Sequence, residues 1–68
     1  MTNEQEVFDA LKYRIEVNGY GTRRYYNNAD QLHRTNGPAV VYSNGVRSWY
    51  INGKELTEAE YNQEVKSL

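Results

Sequence analysis

The chain repeats itself. With a shift of 24 residues, Gly21-Thr22-Arg23-Arg24-Tyr25-Tyr26-Asn27-Asn28 falls on Gly45-Val46-Arg47-Ser48-Trp49-Tyr50-Ile51-Asn52, Val17 falls on Val41 and Leu32 on Leu56, with no gap. A period in the twenties marks one supersecondary unit copied in tandem, each copy burying a face of the next. The 68 residues hold two such copies and a short extension at each end. A domain of this size buries only about 60% of the surface its unfolded chain exposes, so the core is expected to be thin.

The repeated unit reads as β. Asn44-Gly45, between the strand-like runs 39–43 and 46–51, is a strong hairpin signal, because a type I′ turn needs positive φ at both central residues. Asn52-Gly53 is a second such turn. Asn36-Gly37-Pro38 breaks the chain again, and Pro38, having no N–H to donate, belongs at a strand start or edge. Leu11, Tyr13, Ile15 and Val17 alternate with Lys12, Arg14 and Glu16, which predicts a first strand. Residues 18–21 then turn the chain into 22–26, and a short strand over 31–34 links the two hairpins.

The ends read as helix. Thr57-Glu58-Ala59-Glu60 is a capping box, and Tyr61, Val65 and Leu68 fall on one stripe behind it. Thr2 or Asn3 can cap a short first helix carrying Val7 and Phe8, with Leu11 open to either this helix or the first strand, which can begin by Ala10. The expected architecture is a single α+β domain over 1–68. It comprises a short helix over 3–10, a first β repeat over 11–34, a second over 35–56 and a helix over 57–68. The strands form a small antiparallel meander of four to six strands.

A two-residue turn at Asn44-Gly45 pairs Val41 with Ser48 and Val40 with Trp49. One face of the sheet then carries Tyr13, Ile15, Val17, Val41 and Tyr50, and is expected to be the helix-covered core. The other face carries Arg23, Tyr25, Tyr42, Arg47 and Trp49. Aromatics and arginine are the residues most enriched in interface hot spots, so these five are the expected partner-binding residues. Trp49 is expected to be mostly covered within the chain or a homodimer, and Arg23, Tyr25 and Arg47 to form an exposed fringe.

Composition narrows the chemistry. There is no cysteine, so neither a disulfide nor a thiolate metal site can form, and His33 is the only histidine. No serine sits in a nucleophile elbow, and Gly19-Tyr20-Gly21 lacks the Lys-Ser/Thr of a phosphate loop. The chain is expected to be non-enzymatic and to need no cofactor or metal. No apolar run is long enough to span a membrane, and the polar, acidic N-terminus is unlike a signal peptide, so a cytoplasmic location is expected. Seven tyrosines and one tryptophan, against one phenylalanine, suit half-exposed sheet surfaces. Arg23-Arg24-Tyr25-Tyr26 also suits single-stranded nucleic acid stacking, but the formal net charge of −1 weighs against that alternative.

Leu32-His33-Arg34-Thr35-Asn36-Gly37-Pro38-Ala39 and Trp49-Tyr50-Ile51-Asn52-Gly53-Lys54-Glu55-Leu56 resemble a MORN-like repeat of the form WY-x-NG-x-L-H-R-x-DGPA, found in small proteins of tailed bacteriophages and some bacteria. The resemblance covers about residues 20–61. Asn36 stands where the repeat has Asp, Thr57 follows the second leucine in place of His-Arg, and fewer than two complete units are present. The resemblance implies a meander of short strands in a protein-interaction role, with His33 and Arg34 as scaffold residues. It points to a phage-encoded inhibitor or modulator of a host protein such as a defence complex, nuclease or polymerase. A homodimeric or homo-oligomeric assembly protein is a further alternative.

Overall fold

A computed structural model describes residues 4–68. Thr2 and Asn3, the expected caps of the first helix, lie outside the described residues. The elements run α1 (Glu4–Lys12), β1 (Arg14–Val17), β2 (Arg23–Tyr26), β3 (Val40–Val41), β4 (Arg47–Ile51), β5 (Lys54–Leu56) and α2 (Glu58–Lys66). The five strands form one antiparallel meander in chain order, flanked by a helix at each end. The domain is α+β, as the patterning predicts.

The 24-residue repeat is geometric as well as sequential. In the first hairpin Val17 pairs with Arg23, the Asn18 N–H donates to the Thr22 carbonyl, and the Gly21 N–H donates to the Asn18 carbonyl. In the second, Val41 pairs with Arg47, Tyr42 N–H donates to Val46, and Gly45 N–H donates to Tyr42. Each bond is its counterpart's, moved by 24 positions. Gly21 and Gly45 hold φ of 88° and 90°, left-handed values that suit glycine, while Asn44 is not among the positive-φ residues. The turn is therefore a three-residue loop closed by a left-handed glycine, not the type I′ turn expected at Asn44-Gly45. Asn52-Gly53 does form the expected type I′ turn, with φ of 49° and 84°.

That extra loop residue changes the faces. Each hairpin is out of the expected register by one, and a one-residue slip carries one strand's side chains to the other face. Ile15 pairs with Tyr25, Arg23 with Val41, Val41 with Arg47, and Trp49 with Leu56. One face therefore carries Ile15, Val17, Arg23, Tyr25, Val41, Arg47, Trp49 and Ile51. The other carries Arg14, Glu16, Arg24, Tyr26, Val40, Ser48 and Tyr50. Tyr50, expected in the core, is half-exposed on the second face, and Val17, also expected there, is 55% exposed.

A polar bulge holds the covered face together. The link strand expected over 31–34 is reduced to a single bridge, in which Leu32 pairs with Tyr26 and the His33 N–H donates to the Tyr25 carbonyl. The chain then leaves the sheet and returns at Ala39, whose carbonyl accepts from the Tyr25 N–H. Between them, the Arg34 guanidinium carbon stands over the Tyr25 ring, 4.0 Å from its centroid. Arg34 Nη2 donates to Asp9 of α1 at 2.8 Å, Nη1 to the Pro38 carbonyl and Nε to Asn36 Oδ1. Asn36 Nδ2 donates to the other oxygen of Asp9 at 3.0 Å. A Cβ on Gly37 would stand 2.9 Å from Arg34 Nη1, so any larger residue there would have to displace the guanidinium. On the other side, Tyr61 of α2 donates its hydroxyl to the Arg34 carbonyl at 2.7 Å and accepts from the Gly37 N–H. Both helices are thus tied to one five-residue loop.

The helices differ from expectation at one end. α1 continues to Lys12, and the Tyr13 N–H still donates to the Asp9 carbonyl, so Leu11 belongs to a helix and not to the first strand. Leu11 is 84% exposed. The α2 capping box forms as the sequence predicts, with Thr57 Oγ1 accepting from Glu60 N–H and Glu60 Oε1 accepting from Thr57 N–H.

Removing one member of a buried ion pair strands the other, at a cost of about 3–5 kcal/mol. Arg34→Ala is expected to unfold most of the population at 25 °C, read by circular dichroism and urea titration. Asp9→Asn, which keeps hydrogen-bonding capacity, is expected to cost less than Asp9→Ala. Equal melting temperatures for Arg34→Ala and the parent chain would show that the pair does not hold the fold.

Candidate docking face

The five expected partner-binding residues separate into three groups. Tyr25 is buried at 4% exposure, in contact with the Arg34 guanidinium and with Tyr13, whose ring meets it at 85° and 5.9 Å. The expectation that it forms an exposed fringe is corrected by the register: pairing with Ile15 turns Tyr25 inward. Tyr42 is 38% exposed but extends the face of Val40 and Tyr50, away from the other four. Arg23, Arg47 and Trp49 remain together.

Arg23 and Arg47 flank Val41 on three neighbouring strands, and all three side chains leave the same face. Arg47 is exposed and Arg23 half-exposed. Neither makes an ion pair among the described residues, whereas Arg14 is held by Asp30 and Glu16 and stacked on Tyr26, and Arg34 is held by Asp9. An unpaired arginine on a sheet keeps its full set of five donors for a ligand.

Trp49 is half-buried. Its ring leans on Tyr61 at 4.8 Å between centroids and 47° between planes. The free side of the indole opens into a groove of about 450 Å³ lined by Arg47, Ser48, Trp49, Glu55, Leu56, Thr57 and Glu60. Leu56, Thr57 and Glu60 were not among the expected site residues. The type I′ turn at Asn52-Gly53 carries the signal that finds Leu56, because a two-residue loop pairs Ile51 with Lys54 and hence Trp49 with Leu56. Glu60 brings a fixed negative charge to the groove. The Thr57 N–H, then the Thr57 hydroxyl, hold its carboxyl below the ordinary value of 4.5. The groove therefore places Trp49 and Leu56 beside charges of both signs.

A second, smaller cavity of about 240 Å³ lies among Lys12, Tyr13, Asn27, Asn28 and His33. His33 Nδ1 accepts from the Asn52 N–H at 2.9 Å, which fixes the neutral imidazole with its proton on Nε2. Burial, and then the nearby Lys12 charge, push its pKa below 6.5. Among the described residues no group of three or more His, Asp or Glu is placed to hold a metal ion. No described helix is long and apolar enough to cross a membrane.

No protein-family model matches the chain, and neither a curated protein nor a solved structure matches it.

The histidine generates a pH dependence. Its folded pKa is below its unfolded one, so the unfolded chain binds the proton more readily, and the stability His33 contributes is present above pH 6.5 and lost as pH falls through the folded pKa. Thermal melts should show a melting temperature that falls as the pH drops below about 6.5, a fall that disappears in His33→Gln and leaves only the loss below about pH 4.5 as carboxylates protonate. An identical fall in the variant would assign it to other groups.

Proposed function

We propose that this protein is a non-enzymatic binding domain that docks another protein on the face carrying Arg23, Val41, Arg47 and Trp49, and acts by covering that partner's working surface. The observation that supports this most is the pair of arginines that make no ion pair among the described residues, set one strand apart beside a groove that Trp49 lines. A guanidinium left without an ion-pair partner next to a half-open aromatic suits a segment bearing a carboxylate and, a few residues on, an apolar side chain. The carboxylates meet Arg23 and Arg47, and the apolar group enters between Trp49 and Leu56. Sheet-borne residues of this kind are held rigidly, which limits the entropy lost on binding. The MORN-like resemblance of residues 20–61 supports a host protein of a bacteriophage as the partner.

The nucleic-acid alternative is weaker. Arg23 and Arg24 leave opposite faces of β2, Arg24 alongside Glu16 and Tyr26, so the run Arg23-Arg24-Tyr25-Tyr26 cannot present four groups to one strand. Tyr25 is covered, which removes one stacking platform.

Substitution on each face tests the assignment. In a pull-down from bacterial lysate followed by affinity measurement on the captured protein, Arg23→Glu with Arg47→Glu should weaken retention more than tenfold. Tyr42→Ala, on the opposite face, should leave it within twofold, and all variants should keep the parent's circular dichroism. Loss on Tyr42→Ala with retention in the double variant would move the site to the other face. Oligonucleotide binding that falls steeply with salt and is lost in the double variant would replace the protein partner by nucleic acid.

A further inference from the structure

α1 is turned inside out. Its buried side chain is Asp9, at 4% exposure, held by Arg34 and Asn36. Its apolar residues face the other way: Val7 is 47% exposed, Phe8 49% and Leu11 84%. Residues 7, 8 and 11 are neighbours on one side of a helix, so the three form a continuous apolar stripe. The domain has spent its polar residue on the inside of α1 and left the greasy side open, the reverse of the usual amphipathic surface helix.

The charges along that stripe say what fits it. Glu4, Phe8 and Lys12 are spaced by four and lie in one row, with acid at the N-terminal end, an aromatic in the middle and a cation at the C-terminal end. Turned about a two-fold axis through Phe8, the row becomes complementary to itself: Phe8 meets Phe8 of the second copy, and Glu4 meets Lys12 at both ends. The helix dipoles then oppose, which is the favourable sense. Lys12 has the capacity for this contact. Its ammonium carries three donors, of which the bond to Thr35 Oγ1 at 3.2 Å uses one, and it lies 5.5 Å from the Phe8 ring centroid. An anionic membrane is a poorer occupant, because the stripe begins beside Glu4 and Glu6 and its helix holds one cation, where interfacial helices are rich in Lys and Arg.

We propose that the free face of α1 is a homodimer interface, with the two helices antiparallel around Phe8. The interface is isologous, as a two-fold dimer requires. It lies on an element separate from the arginine-bearing strands, so it does not depend on the function proposed above. Two helices of nine residues run side by side for only about 13 Å, and the contact falls under the roughly 1,200 Å² of stable complexes. The dimer is accordingly weak, forming at tens to hundreds of micromolar.

Sedimentation equilibrium from about 10 μM to 1 mM tests this. The parent chain is expected to rise from its protomer mass of 8.0 kDa towards twice that value. Leu11→Glu, at a side chain 84% exposed, should stay at protomer mass throughout with an unchanged melting curve. Glu4→Lys and Lys12→Glu should each weaken self-association at least fivefold. An equimolar mixture of the two should recover it, because the mixed dimer restores both opposite-charge contacts. A parent chain at protomer mass at 1 mM, a Leu11→Glu variant that dimerises like the parent, or a mixture that fails to recover would each overturn the proposal. Leu11-dependent binding to phosphatidylglycerol vesicles, or Leu11-dependent capture of another protein by a monomeric parent chain, would assign the face to that occupant instead.

Discussion

The fold turns on a single guanidinium. Arg34 is 9% exposed, its guanidinium stands over the Tyr25 ring, and its donors reach α1 through Asp9 and the bulge through Asn36 and the Pro38 carbonyl. Its own carbonyl receives the Tyr61 hydroxyl from α2. Burial pushes the Tyr61 hydroxyl above its ordinary value of 10.0, which keeps it a neutral donor over the working pH range. Among the described residues the buried apolar side chains are few, namely Tyr13, Tyr25, Ala39, Val40, Ile51 and Tyr61, and three of these six are tyrosines. So small an apolar set does little to specify how two short helices sit on a sheet. Directional bonds from one loop supply that orientation, at the desolvation cost that a buried ion pair always carries.

The two repeats solve one problem with different groups. Tyr25 and Trp49 occupy equivalent positions on the same face, and each is covered by a planar group from a segment that follows it. Arg34 covers Tyr25, and Tyr61 covers Trp49. The Tyr61 hydroxyl then bonds the Arg34 backbone, so the two covers support each other. The difference lies in completeness. Tyr25 also has the Tyr13 edge against it and is closed, whereas Trp49 has Tyr61 on one side and a groove on the other. The second aromatic is therefore covered less completely than the first, and the proposed docking face is built on that difference.

Much of this was legible in the sequence, and the errors have two physical sources. The repeat, the meander, the type I′ turn at Asn52-Gly53 and the capping box at Thr57 all rest on local rules that tertiary context did not override. The faces were misassigned because Asn-Gly admits two closures: both residues left-handed, as at Asn52-Gly53, or glycine alone left-handed after a type I turn, as at Asn44-Gly45. The two differ by one residue of loop, and one residue inverts a face. Gly21 held the clue, since its repeat partner is Gly45 and the residue before it is Tyr20, a poor candidate for positive φ. Leu11 was read as strand because alternation from Leu11 to Val17 is real in the sequence. Its first two members are instead the last turn of a helix whose inward residue, Asp9, carries no hydrophobic signal.

The same feature explains why α1 sits as it does. A nine-residue helix is marginal on its own, and its orientation is set by whichever side makes the stronger tertiary contact. Here that contact is Asp9 to Arg34 and Asn36. A bond to a buried charged group, one whose loss strands Arg34, outweighs the burial of two or three apolar side chains against a sheet edge that has little surface to offer. With Asp9 inward, Val7, Phe8 and Leu11 must point outward. Exposure of that stripe is therefore a consequence of how the bulge is held, and any partner on it is bound by a surface that the keystone arginine indirectly creates.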